Sequence, residues 1–245
     1  MPDRSIVSSL IIALGLTLAG AAVGVGFTRG RAADRYVTVK GVAEREVRAD
    51  IAVWPLYMVG ADNDLSAAHA KLTQSITGVK AFLTKHGIDT AQTELTGFGV
   101  FDAQAQQYGG DRPPANRFVV RQTLLVRSSK PDVVLGASQQ IGELAAIGVV
   151  VSSGSGGEYG PGSGPTFLFT KLNELKPLMI AEATARAREA AEQFARDSGS
   201  AVGGIRQANQ GVFEIVARDQ APGISQETQV AKIVRVVSTV EYFLD

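Results

Sequence analysis

The sequence contains no cysteine, which excludes disulfides, thiolate metal sites and cysteine nucleophiles. Histidine, the commonest general base, occurs only at positions 69 and 86. Both fall on one predicted helix, about 25 Å apart by helical rise, so they cannot share a metal ion. Net charge is absent, because 24 Lys and Arg balance 24 Asp and Glu. No basic stripe points to nucleic acid and no acidic run to disorder. A surface without net charge permits self-association more readily than a strongly charged one.

Charge is also missing locally. Residues 5–27 carry none, and as a helix this segment would reach roughly 34 Å, enough to cross a hydrocarbon core of about 30 Å. A cleavable signal peptide would have a shorter apolar core of about 7–15 residues and a small-residue cleavage site after it. Here Gly20, Ala21 and Ala22 lie inside the run, so the expectation is a retained signal-anchor, with a cleaved signal as the alternative. The division expected is a short cytoplasmic tip at 1–4, a transmembrane helix at 5–27, a linker at 28–35 and an α+β domain at 36–245. Arg29, Arg31 and Arg35 follow the run and Arg4 precedes it, a count that alone would keep the C-terminal part inside. Large domains translocate largely regardless of flanking charge.

The remaining chain is long enough for one large or two small domains. Alternation predicts strands at 36–43 and 49–59, the second apolar on both faces, with Pro55 at an edge or bulge because it cannot donate to a ladder. Leu65, Ala68, Leu72, Ile76, Val79 and Leu83 predict a helix over 62–86, capped by Asp62 or Asp64 and stopped by Lys85, His86 and Gly87. Strands follow at 93–101 and 117–127, joined by a long Gln-, Gly- and Pro-containing loop at 102–116. A helix at 131–147, short strands at 149–152 and 166–170 and a Gly/Ser-rich loop at 154–165 come next. Leu175, Met179, Ala183, Ala187, Ala190 and Phe194 predict a helix over 173–198, whose alanines would let it lie close to a sheet. Strands at 207–216 and 232–244 close the chain. The order ββ-α-ββ-α-ββ-α-ββ predicts an α+β fold, with a mostly antiparallel sheet and helices packed on one face. Its rhythm suggests structural pseudo-symmetry.

The search for chemistry returns little. His86 reads as a cation at a helix C-terminus and His69 as a boundary residue. The string Ser153-Gly154-Ser155-Gly156-Gly157 lacks both the strand–turn–helix setting of a nucleophile elbow and the Gly-Lys-Ser/Thr ending of a phosphate loop. Glu44 and Glu46 read as a solvated turn, Asp62 and Asp64 as caps, and Asp89, Glu94 and Asp102 have no nameable partner. Trp54, Tyr57, Phe98 and Phe101 read as core or interface aromatics. The sequence names no catalytic, cofactor-binding or metal-binding residue, and no cofactor.

Three segments carry a resemblance: the opening strand Tyr36-Val37-Thr38-Val39-Lys40-Gly41-Val42-Ala43-Glu44 with Val47 and Ala49-Asp50, the Ala-rich helix over 181–198 leading into Val202-Gly203-Gly204-Ile205, and the closing strand over 234–243. In order and spacing the chain resembles the SIMPL domain family, a bacterial group that includes a periplasmic immunogen and the YggE-type proteins. The resemblance implies an exported α+β domain without established enzymatic activity, linked to envelope or oxidative stress, with some relatives forming ring or channel-like homo-oligomers. It transfers no catalytic residue. It places the domain outside the cytoplasm, in the periplasm of a bacterium with the helix in the inner membrane, against the flanking charge count.

Three functions follow as expectations. The first is a non-enzymatic tethered domain that self-assembles or binds an envelope protein partner. The second is a small-ligand sensory domain with loops 102–116 and 154–165 as lids. The third is a carboxylate-based enzyme, which would show an Asp or Glu with a raised pKa in a cleft.

Overall fold

A computed structural model describes residues 4–32, 35–105, 115–152, 164–222 and 225–245. The elements in chain order are α1 (Arg4–Ala32), β1 (Tyr36–Arg48), β2 (Ile51–Asp62), α2 (Leu65–Lys85), β3 (Thr93–Asp102), β4 (Phe118–Ser128), α3 (Pro131–Gln139), α4 (Gly142–Ala146), β5 (Val151–Ser152), β6 (Thr166–Leu168), α5 (Leu172–Asp197), β7 (Val202–Gln210), β8 (Glu214–Ala217) and β9 (Ala231–Leu244). The α+β class holds, but the strands form two sheets where one was expected. The first has the order β1-β9-β7, with β8 also on β9; the second has the order β3-β4-β2-β5, with β6 also on β2.

The side chains described along α1 are Ser9 and residues 12–26, and all are exposed. That stretch alone rises only about 22 Å. Among the described residues, no helix is long and apolar enough to cross a membrane.

The chain divides into two compact units, one of Met1–Glu44, Lys176–Glu214 and Arg235–Asp245, the other of Arg45–Leu175 and Ile215–Val234. In the first, α5 lies on the sheet face that carries Val39, Val240 and Tyr242. A β-carbon at Gly41 would overlap the carbonyl oxygen of Ala183 and come within 2.5 Å of the Ala187 nitrogen. Glycine in the strand and alanine in the helix thus bring backbone against backbone. The buried stripe is Met179, Ala183, Ala187, Ala191 and Ala195. It keeps a strict four-residue step, so the expected Phe194 turns outward and is exposed.

In the second unit, α2, α3 and α4 share one core with Trp54, Leu56, Met58, Val120, Leu124 and Val126. The device recurs here: a β-carbon at Gly60 would overlap the Ala68 carbonyl oxygen and come within 2.8 Å of the Leu72 nitrogen. In both units a strand glycine faces the carbonyl and amide of residues four apart on a helix.

Four further expectations change. β1 runs on to Arg48, so Glu44 and Glu46 lie in a strand and not in a turn. The helix over 131–147 breaks after Gln139, where the Gln140 amide bonds the carbonyls of Ala137 and Ser138 and Gly142 opens a new turn. The strand over 207–216 is two strands, β7 and β8, parted at Gly211, whose amide bonds the Val237 carbonyl. Its earlier half was hidden by adjacent Gly203 and Gly204, where the pairing with β9 is irregular.

Pro55 lies at neither a bulge nor an outer strand: its register with Leu125 of β4 is unbroken. On the other side of β2, β6 pairs 51–53 and β5 pairs 57–58, and among the described residues no strand pairs with 54–56. A residue with no N–H fits that gap.

Candidate functional site

One polar cluster of the second unit sits where the end of α2 meets α4. His86 is the C-cap of α2, as expected of a residue that complements the helix dipole. Its ring packs on Phe82 with centroids 4.5 Å apart. Its Nε2 is 3.2 Å from Glu143 Oε2, and Lys85 Nζ donates to the same oxygen at 2.9 Å. Lys85 first, and His86 after it, hold the Glu143 carboxyl below the usual range. Sequence reading found Lys85 and His86 but not Glu143, which α4 brings to them. Beside the cluster lies a cavity of about 460 Å³ lined by Gly78, Ala81, Phe82, Leu144 and Ile147.

A second cavity, of about 510 Å³, lies further along α2, between Lys71, Gln74 and Ser75, residues 147–150, and the end of β2 at Val59, Gly60 and Ala61. Lys71 Nζ donates to the Ala61 carbonyl at 3.1 Å and pairs with Asp62 at 2.7 Å. Sequence patterning gave no signal for this cavity, since it is built from the end of a strand and a loop.

The other candidate residues are dispersed. His69 is exposed and meets the edge of Phe98 at 6.5 Å. Asp64 caps α2 by accepting from the Ala67 amide, and Asp89 accepts from Ala91. Asp102 takes a bidentate bond from Arg117, which lowers its pKa. Glu44 accepts from Arg235 at 2.6 Å, and Glu46 from Arg218 at 3.3 Å. Glu94 is exposed. Trp54 is fully buried and Tyr57 half-buried, while Phe98 and Phe101 are exposed at the β3 edge. The 153–157 string and most of both loops, 106–114 and 153–163, lie outside the described residues.

Alternation along β9 also hid a residue. Lys232 and Ser238 share the buried face with Val234 and Val236. Lys232 donates to the Gln226 carbonyl; burial lowers its pKa, against the attraction of Glu227. Among the described residues, every carboxyl with a displaced pKa is displaced downward: Asp50, Asp62, Asp64, Asp102, Glu143 and Glu227. Such groups act as ion-pair and cap acceptors. No group of three or more His, Asp or Glu suited to a metal is present among the described residues.

No curated protein matches the chain. A family model does, over residues 37–241, most of the chain, and the chain therefore belongs to the SIMPL family, described as a protein of unknown function (DUF541).

Proposed function

We propose that this protein is a membrane-tethered, non-enzymatic SIMPL domain, held outside the cytoplasm by its N-terminal helix and acting through self-assembly or an envelope partner. The observation that carries this reading is α1. It belongs to an uncharged run of residues 5–27, and its described side chains, among them Leu14, Leu16, Leu18 and Val23, are all exposed. Apolar side chains exposed at every described position are poorly placed in water and well placed in lipid. Ion-paired carboxylates and zero net charge support association over catalysis.

Protease accessibility in intact cells and in spheroplasts, together with the N-terminal residue of the mature protein, tests the reading. Cleavage only after the outer barrier is opened, with residues 5–27 retained, is expected. Protection in spheroplasts, or a mature terminus beyond residue 27, refutes the tether. Light scattering across concentrations tests assembly, and a monomer throughout removes that version.

A further inference from the structure

We draw no further inference here: the strongest candidate, the exposed apolar patch that Leu95, Phe98 and Val100 form along β3 at the end of the second sheet, carries no proposal because nothing in the structure shows what covers it.

Discussion

Lys232 is a cation placed where the strand pattern calls for an apolar side chain, and its ammonium is spent on the Gln226 carbonyl. Burial lowers its pKa in the folded chain, whereas unfolding restores the ordinary value. Between the two values the unfolded chain holds more protons, so folding stability from this group rises with pH through that window and is lost as pH falls through the folded value. Denaturation midpoints of the wild type and Lys232→Met, taken from neutral pH to about 10, should show a difference that moves in favour of the wild type as pH rises. A flat difference would mean that Lys232 reaches water. The surface pairs work differently. Arg117 with Asp102 and Lys85 with Glu143 are solvent-facing, and such pairs contribute roughly 0–1 kcal/mol each.

At the scale of elements, the helix–sheet contacts rest on glycine. Gly41→Ala would drive a methyl group into the Ala183 carbonyl. Overpacking of this kind costs about 1–3 kcal/mol or more, and thermal unfolding should show it. Gly99→Ala, with nothing within 4 Å of the added carbon, should stay within about 0.5 kcal/mol of wild type. Equal effects would refute the close approach of α5 to β1. The α5 register has its own test. Phe194→Ala should be near neutral because the ring is 60% exposed, whereas Ala191→Leu, at a fully buried position, should destabilise by about 1–3 kcal/mol. The opposite order would restore the stripe expected from sequence. These cases show what the sequence made legible. Element type followed from periodicity at α2, β4 and β9, because alternation and three-to-four spacing are local properties. The terminal turn of the α5 stripe was not legible, since a phenylalanine at helical spacing outweighs an alanine when only the sequence is read. The bulged start of β7 depends on its pairing with β9. Glu143 and the cavity beside β2 were invisible for the same reason: each joins residues far apart in sequence.

At the scale of the whole molecule, neither compact unit is one continuous segment: the first is made of three stretches of chain and the second of two. Val230 packs in the core with Ala49 and its carbonyl accepts from the Ala49 amide. Residues 45–175 expressed alone lack that closing segment and should give no cooperative unfolding transition; a cooperative one would show that 215–234 is dispensable. The proposed tether, residues 5–27, lies before the first strand in sequence. An arginine at the centre of a spanning helix costs roughly 2.5–3.5 kcal/mol on insertion scales, and two should defeat a segment of moderate hydrophobicity. Leu14→Arg with Leu18→Arg alters two exposed positions of α1, so circular dichroism and the melting transition of residues 36–245 should not change. After a carbonate wash the wild type should remain with the membrane pellet, and the double variant should move to the soluble fraction. Retention of the variant in the pellet would mean that the domain itself, and not the helix, holds the protein at the membrane.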